Sequence, residues 1–330
     1  MNNKKGSVSI RKKIAGLLIL LAVIIIPLSV LIGAVRLSPA ELFSDQNADI
    51  LRLRILRTLL ALIAGAGLGV AGVILQGLLR NPLAGPYVLG ISSGAGLGAA
   101  GCVILGLSSG LWGVGALPLM AFLGAILTMF LVYNLARTNG NIPIYALLLS
   151  GVIVGSVFSS ILIFIVSISP MEGLHGILWW LLGNLQVFDV KLVITTGIIV
   201  VVCAAASLLF WRDLNIITLG EESAIHLGIR IETVKKILFV LSSLLTAAIV
   251  STCGLIGFVG LIIPHIMRLA IGSDHKVLIP SSLIAGGLFL VICDLFARTL
   301  MAPIEIPIGI ITALIGGPLF IFLLRRKKRL

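Results

Sequence analysis

Two side chains of opposite charge, Asp294 and Arg298, stand four residues apart inside a long apolar segment. Residues spaced i and i+4 share one face of an α-helix, so these two can form an ion pair. A charge within a membrane span is costly unless it is paired or serves transport. The spacing therefore predicts a structural ion pair, and it leaves open an ion-coupling carboxylate of the kind that a self-sufficient carrier requires.

Three arginines, Arg52, Arg54 and Arg57, precede the second apolar segment, and we expect Arg298 to lie at the same membrane surface. Two explanations are open for this cluster. The arginines either pair with acidic residues of the chain or form a docking surface for an acidic partner, since guanidinium groups bind carboxylates in bidentate fashion. The acidic candidates within the chain are Glu41, Asp45, Asp49 and Glu305.

Glycine patterns that could cradle a phosphate occur twice, at 67–72 and 96–101, as literal GxGxxG matches. A dinucleotide fold also requires a preceding strand and a following acidic residue, whereas both matches lie in apolar segments, where glycine favours helix packing. The sequence contains no Gly-Lys pair, so it lacks the phosphate loop of an ATPase, and its cysteines and histidines do not cluster. We therefore expect no enzyme, and no catalytic residue, metal site or cofactor in this chain.

The longest polar segment on the predicted inner side, 211–236, carries a short helix signature. Thr218 and Glu221 have the spacing of a capping box, and Gly228 is placed to end the helix. A helix of about two turns is not stable alone in water, so a fixed one implies a surface that it contacts. We expect this insert to dock a partner.

Apolar helices must position these residues. The chain of 330 residues is 59% hydrophobic and 11% charged, whereas soluble domains carry about 25% charged residues. A bilayer-spanning helix needs about 20 residues, and the pattern predicts an all-α polytopic membrane protein with a single domain over 1–330. The ten predicted spans are Ile14–Ala34, Ile55–Leu79, Gly90–Leu107, Val114–Ala136, Ile142–Ile168, Leu192–Phe210, Ile237–Ile256, Gly257–Ile271, Pro280–Leu300 and Pro307–Leu324.

The net charge of +12 is distributed in a way that indicates lipid rather than nucleic acid as a partner. Lys and Arg concentrate at both termini and in alternate loops, which is the positive-inside pattern. It predicts cytoplasmic N and C termini, and the basic tails need only anionic lipid headgroups. No small-residue cleavage site follows the first span, so we expect that span to stay uncleaved.

A proline-containing turn, 80–90, joins the second and third spans. Pro82 and Pro86 interrupt a helix and favour extended backbone around them. Two interpretations are open: a tight inner connection, or a gate or docking loop beside a pathway.

Further motifs occur in order along nearly the whole chain. They are Arg54-Ile-Leu-Arg57-Thr-Leu, Arg80-Asn-Pro-Leu-Ala-Gly-Pro, Leu219-Gly-Glu-Glu, Gly257-Phe-Val-Gly-Leu-Ile-Ile-Pro-His and Glu305-Ile-Pro-Ile-Gly. Together they resemble the FecCD/BtuC-like permease family of iron–siderophore, haem and vitamin B12 ABC importers. The chain departs from the family at Leu56, where proline is common, and this affects only the local bend.

The resemblance implies a multi-pass permease in the cytoplasmic (inner) membrane of a prokaryote that acts as a homodimer or related heterodimer. It also implies an extracytoplasmic substrate-binding protein and a dimer of cytoplasmic ABC ATPases, which carry the ATP and Mg. The ATPase-coupling residues so implied are Leu219, Gly220, Glu221, Glu222, Ala224, Leu227 and Gly228. The implied binding-protein docking residues are Arg54, Arg57 and Arg298, and the implied cytoplasmic gate consists of Asn81, Leu83, Ile144 and Tyr145.

We interpret the chain as a permease subunit that translocates an iron chelate, a ferric siderophore, with cobalamin or haem as alternative cargo. A secondary carrier independent of ATPases would need intramembrane carboxylates, for which Asp294 is nearly the only candidate. A membrane enzyme would need clustered His, Asp or Glu at one face, and the sequence offers no such cluster.

Overall fold

The computed structural model describes residues 2–107, 115–138 and 140–327. Within these ranges the chain forms α-helices and short 3-10 turns and no β-strand, so the predicted all-α class is confirmed. The helices are α1 Asn2–Leu31, α2 Pro39–Leu42, α3 Ala48–Leu78, α4 Ile91–Ile104, α5 Ala116–Ala136, α6 Ile144–Ile168, α7 Met171–Leu181, α8 Val190–Leu209, α9 Trp211–Ile217, α10 Glu221–His226, α11 Ile231–Cys253, α12 Val259–Ile271, α13 His275–Thr299 and α14 Ile308–Lys327.

Seven of the described helices are long and apolar enough to cross a membrane: α1, α3, α5, α6, α8, α11 and α13. Three shorter apolar helices, α4, α12 and α14, correspond to the remaining predicted spans. Each of the ten predicted segments therefore has a helical counterpart. One predicted boundary, Val114, lies outside the described residues.

Five helices, α1, α3, α8, α11 and α13, begin earlier than predicted, and two of them show why. Helix α11 starts at Ile231 rather than Ile237, and α13 starts at His275 rather than Pro280. The hydropathy pattern predicts loops for residues 231–236 and 275–279. In the folded protein, hydrogen bonds and ion pairs to other segments satisfy polar groups of these residues within the helices. Lys235, in the first turns of α11, is only 4% exposed and lies in ion pairs.

Helix α3 is the centre of the bundle. In the most apolar stretch of α3, 83% of the residues are buried inside the protein, and the helix packs against α13, α11, α12 and α8. In the corresponding stretches of α1 and α6, only 11% and 17% of the residues are buried. Their outward apolar faces are suited to lipid or to a second subunit.

Helices α3 and α13 approach each other at backbone distance. A side chain added at Gly65 would overlap the carbonyl of Gly286, and a side chain added at Gly286 would overlap the carbonyl of Gly65. One turn further along α3, Gly69 faces the carbonyl of Ser282 in the same way. Small residues four apart thus allow the two central helices to pack closely, as is typical of membrane bundles.

The break between α11 and α12 lies within the bundle. Gly254 and Phe258 both have positive φ, at 69° and 68°, which takes the backbone off the helical path. The Tyr87 hydroxyl accepts the Ile256 N–H at 2.9 Å and donates to the Ile256 carbonyl. A backbone segment in apolar surroundings needs such a partner, and the break separates the seventh predicted span from the eighth.

Candidate functional site

The polar insert 211–236 folds as α9, α10 and the start of α11. Helix α10 ends where the sequence predicts. Gly228 has φ 80°, and the Ile229 N–H donates back to the Ala224 carbonyl at 3.1 Å. Glycine adopts this left-handed conformation without strain and commonly terminates a helix. The predicted end of the helix is confirmed.

The predicted capping box at the other end of α10 is wrong. The Thr218 hydroxyl donates to the Asn215 carbonyl at 2.7 Å, and Gly220, with φ 133°, occupies the N-cap position without a side-chain cap. The Glu221 carboxylate accepts from the Lys235 ammonium at 2.9 Å and not from the Thr218 N–H. A charged donor forms a stronger hydrogen bond than a neutral backbone N–H, so the pairing with Lys235 is favoured over the cap. A complete capping box occurs instead in the outer loop, between Ser38 and Glu41.

Three large apolar side chains on and beside α10 are exposed. Leu219 is 74% exposed, Ile225 is 63% exposed and Leu227 is 64% exposed. Ala224, within the same helix, is fully buried in the core. Helix α10 is therefore fixed to the protein through Ala224, while apolar side chains within it and at both of its ends are exposed. Ile225 is not among the coupling residues that the resemblance implies.

A buried ammonium group joins α10 to the rest of the inner side. The Lys235 Nζ lies 2.9 Å from Glu221, 3.1 Å from Glu232 and 3.3 Å from the Ile142 carbonyl oxygen. Arg80 adds a longer contact of 3.4 Å to Glu221, between two partly exposed side chains. Glu221 is thus in contact with α11 and with the residue at the start of the 80–90 turn.

A second group of contacts fixes α9. The Asn215 side-chain oxygen accepts the His275 N–H at 2.9 Å, and its amide donates to Asp274 at 3.0 Å. Asp274 also lies 3.6 Å from Arg11 at the start of the apolar part of α1. These contacts connect α9 to α13 and α1, so both ends of the insert are attached to the bundle.

The predicted gate residues lie in two separate segments. Asn81 accepts the Leu83 N–H at 2.9 Å through its side-chain oxygen, which stabilises the turn after α3. Ile144 and Tyr145 form the first residues of α6, and Tyr145 is 75% exposed. The gating role of these residues stays a prediction.

Asp294 is fully buried between two arginines. Arg57 lies 2.8 Å from one carboxylate oxygen, and Arg298 lies 3.0 Å from the other. Arg57 also pairs with Glu305 at 2.6 Å, one of the acidic partners considered from the sequence. Gln186 donates to the same Glu305 carboxylate. The cluster contains two positive and two negative side chains, so its charge is balanced within the chain.

Two of the three predicted docking arginines are buried. Arg54 is 6% exposed and donates to the carbonyls of Leu31 at 2.7 Å and Val35 at 2.6 Å. Arg298 is 2% exposed and donates to the carbonyls of Ser29 and Ile32, both at 3.1 Å.

The carbonyls of the last turn of a helix have no intrahelical partner, and cations are favoured at that end. Arg54 and Arg298 therefore cap α1 in this structure, and a docking role for either stays a prediction. A docking role for Arg57 stays a prediction.

Two cavities border Arg57. The first, of about 280 Å³, extends towards Gly33 and Phe188, and the second, of about 430 Å³, extends towards Trp179 and Pro307. Arg57 lines both, whereas Arg54 and Arg298 line only the first. Among the three predicted docking arginines, Arg57 alone borders open space on both sides.

The described residues contain no group of three or more His, Cys, Asp or Glu side chains that could hold a metal ion. The four cysteines, Cys102, Cys203, Cys253 and Cys293, are free and buried. Their positions fit side chains that pack as small apolar groups.

These features define a class of protein: a polytopic α-helical membrane protein with one polar insert that exposes large apolar side chains. The sequence profile of the FecCD transport family matches residues 19–326. The chain belongs to the FecCD transport family and is a multi-pass membrane permease subunit of the metal-chelate type of ABC importer.

Several curated relatives cover most of the chain. The cobalamin import system permease protein BtuC of Halobacterium salinarum is 42% identical over 296 residues, which are 88% of this chain and 78% of that protein. The hemin transport system permease protein HmuU of Yersinia pestis is 36% identical over 321 residues, 95% of each chain. The Fe(3+) dicitrate transport system permease protein FecD of Escherichia coli is 35% identical over 307 residues, 91% of this chain and 94% of that protein.

A solved structure has the same architecture. It is described as an inward-facing conformation of a metal-chelate type ABC transporter, and it superposes with a TM-score of 0.87 at 32% identity. The superposition covers 96% of this chain and 99% of that chain. The similarity therefore extends over nearly the whole chain.

Proposed function

We propose that this chain is the membrane subunit through which an ABC importer moves a ferric siderophore across the cytoplasmic membrane. ATP is bound and hydrolysed by two separate cytoplasmic ATPase subunits. A second permease, identical or related, completes the pathway, and an extracytoplasmic binding protein delivers the cargo. The chain itself performs no covalent chemistry.

The observation that carries this proposal is the apolar face of α10. Ile225 within α10, and Leu219 and Leu227 just before and after it, expose 63–74% of their surface, and the helix is fixed to the bundle through Ala224. Exposed apolar clusters with polar surroundings are typical of protein interfaces. A soluble ATPase that covers this face would convert its nucleotide-driven closure into a displacement of α10.

The displacement of α10 requires that the ATPase dimer bind two conformations of the permease with different affinity. A partner shifts a conformational equilibrium only through its different affinity for the two conformations. Nucleotide-dependent closure of the ATPase dimer provides such a difference, because it changes the separation of the two α10 helices to which the dimer is bound. The pathway then reorients without any chemical step in this chain.

The nature of the cargo is supported by the relatives. Their names assign cobalamin, haemin and ferric dicitrate to permeases that are 35–42% identical to this chain. These cargoes share a metal ion enclosed in a large organic ligand, and ferric siderophores belong to the same chemical group. Cobalamin is the alternative cargo, favoured by the 42% identity to the cobalamin permease.

Reconstitution tests this function directly. Liposomes that contain the permease with its ATPase and binding protein are expected to take up a ⁵⁵Fe-labelled siderophore only when ATP is present. Haem and cobalamin serve as competing cargoes in the same assay. Uptake by the permease alone, driven by an ion gradient, would overturn the proposal in favour of a secondary carrier.

A further inference from the structure

The backbone of Ile142, in the turn between α5 and α6, is held at both of its polar groups by one neighbouring helix. Its N–H donates to the Glu232 carboxylate at 2.8 Å. Its carbonyl accepts from the Lys235 ammonium at 3.3 Å. Glu232 and Lys235 lie three residues apart in the first turns of α11, so a single helix face binds this residue.

The same ammonium group also holds α10. The Lys235 Nζ lies 2.9 Å from Glu221, the first residue of that helix. One cation of α11 therefore contacts α10, the first turn of its own helix, and the turn that leads into α6, which is 93 residues away in the chain. We call Glu221, Glu232, Lys235 and Ile142 the inner clasp.

The inner clasp joins a partly exposed carboxylate to a buried ammonium group. The Glu221 side chain is 34% exposed, whereas the Lys235 side chain is 5% exposed. A buried ammonium needs its partners, since breaking such a pair leaves an uncompensated charge. The three contacts of Lys235 therefore stay together when the surrounding segments move, and the link is stiffer than a surface ion pair.

The clasp ends next to the predicted gate. Ile142 is 5% exposed, and Pro143 follows it as the N-cap of α6. Ile144 and Tyr145 are the first two residues of that helix. Because Pro143 alone separates Ile142 from Ile144, a displacement of Ile142 also displaces the inner end of α6.

We propose that Lys235 is a positioning residue for transport, which makes α10 and the inner end of α6 move as one body when the ATPases close. The inference rests on the proposed function, because it assumes that an ATPase displaces α10. It assigns a route for that displacement: from Glu221 to Lys235, from Lys235 to the Ile142 backbone, and from there to Tyr145.

Arg80 provides a second, weaker link. Its guanidinium lies 3.4 Å from Glu221, and both side chains are more than one third exposed. Exposed pairs of this kind contribute little and are screened by salt. The contact through Lys235 therefore contributes more than the contact through Arg80. A displacement of α10 moves the inner end of α6 more than it moves the 80–90 turn.

The experiment measures cargo moved per ATP hydrolysed in liposomes that contain the permease, ATPase and binding protein. Lys235→Met removes the charge but keeps most of the side-chain volume. We expect ATP hydrolysis to continue and the transport ratio to fall by about fivefold or more, within the range of mutational effects on coupling. Glu221→Gln releases only the α10 end and is expected to lower the ratio in the same direction. Lys191→Met, at an exposed lysine of α8, is the matched control.

A distance measurement separates coupling from simple destabilisation. Spin labels are introduced by Ser223→Cys on α10 and Tyr145→Cys on α6, after the four native cysteines have been replaced. With Lys235 present, the intrachain distance is expected to be equal in the nucleotide-free and ATP-bound states. In the Lys235→Met background the distance is expected to change between the two states.

The outcomes distinguish this inference from the proposed function. If the wild-type complex transports cargo but Lys235→Met and Glu221→Gln keep the wild-type transport ratio, the clasp is not the route. A constant label distance in the Lys235→Met background would also overturn the inference. If Lys235→Met does not assemble, Glu221→Gln decides, since it leaves the buried Lys235–Glu232 pair intact. Failure of the wild-type permease to bind any ATPase would instead refute the proposed function.

Discussion

Arg57 and Asp294, which are 237 residues apart in the chain, form a hydrogen-bonded ion pair of 2.8 Å in which the carboxylate is fully buried. Arg298 approaches the other oxygen of Asp294, and Glu305 pairs with Arg57. This arrangement ties α3, α13 and the segment before α14 together at one end of the bundle. A carboxylate held by two arginines is poorly suited to bind and release a coupling ion, which argues against a secondary carrier.

Replacement of Asp294 by Ala is expected to destabilise the protein strongly. It leaves the buried Arg298 without its anion and leaves Arg57 with Glu305 as its only carboxylate partner, and breaking a buried ion pair costs about 3–5 kcal/mol. The free energy of unfolding, measured by denaturant titration of the protein in detergent, should fall by this amount.

The matched control for this substitution is Glu305→Gln. The Glu305 side chain is 25% exposed, so solvent compensates for part of the lost charge, and a cost of about 1 kcal/mol is expected. Equal stability of Asp294→Ala and the wild type would show that the cluster does not stabilise the bundle.

The contact between Gly65 and Gly286 gives a second prediction. Gly65→Val would drive a branched side chain into the carbonyl of Gly286, and backbone cannot yield as a flexible side chain does. Overpacking of this kind costs about 1–3 kcal/mol or more, and the measurement is again the free energy of unfolding in detergent. Gly101→Ala is the control, because a methyl group there meets nothing within 4 Å. A destabilisation by Gly101→Ala as large as that by Gly65→Val would contradict the close helix contact.

The sequence predicts the helices better than the contacts between them. Long apolar runs and glycine spacing are local properties, so the ten segments and the end of α10 at Gly228 follow from the sequence. The partners of charged side chains depend on which helices meet. The spacing of Thr218 and Glu221 indicated a capping box, but Lys235 binds Glu221 in the folded protein.

The rim arginines show the same limit. Their cluster in the sequence was compatible with both docking and internal pairing. Nothing in the local sequence indicates that the last turn of α1 would need Arg54 and Arg298 as caps for its carbonyls. That requirement appears only when α1 packs beside α3 and α13, and it gives two predicted docking residues a structural role in the bundle.

Docking of an acidic binding protein is therefore expected to depend on the exposed Arg52 at the start of α3. Arg52→Glu should weaken binding, with a larger effect at low salt because exposed charges are screened over about 10 Å at 0.1 M ionic strength. The affinity of the binding protein for the permease in nanodiscs, measured at two salt concentrations, tests this. Arg230→Glu, at an exposed arginine of the inner insert, is the control. An affinity that Arg52→Glu leaves unchanged at both salt concentrations would exclude Arg52 from the docking surface.

The exposed apolar face of α10 gives the last prediction. Ile225→Asp and Leu227→Asp would each place a charge where the proposed ATPase interface excludes water. Apolar anchors at interface centres contribute about 2 kcal/mol or more each, so the affinity of the ATPase for the permease should fall roughly thirtyfold in either variant. His226→Ala, a change at an exposed polar residue of the same helix, is expected to have little effect. The ATPase affinity is measured with the permease in nanodiscs, and the unfolding transition checks that the bundle is intact. Wild-type affinity in both aspartate variants would show that the ATPase binds elsewhere, and α10 would then lose its proposed role as the entry point of the motion.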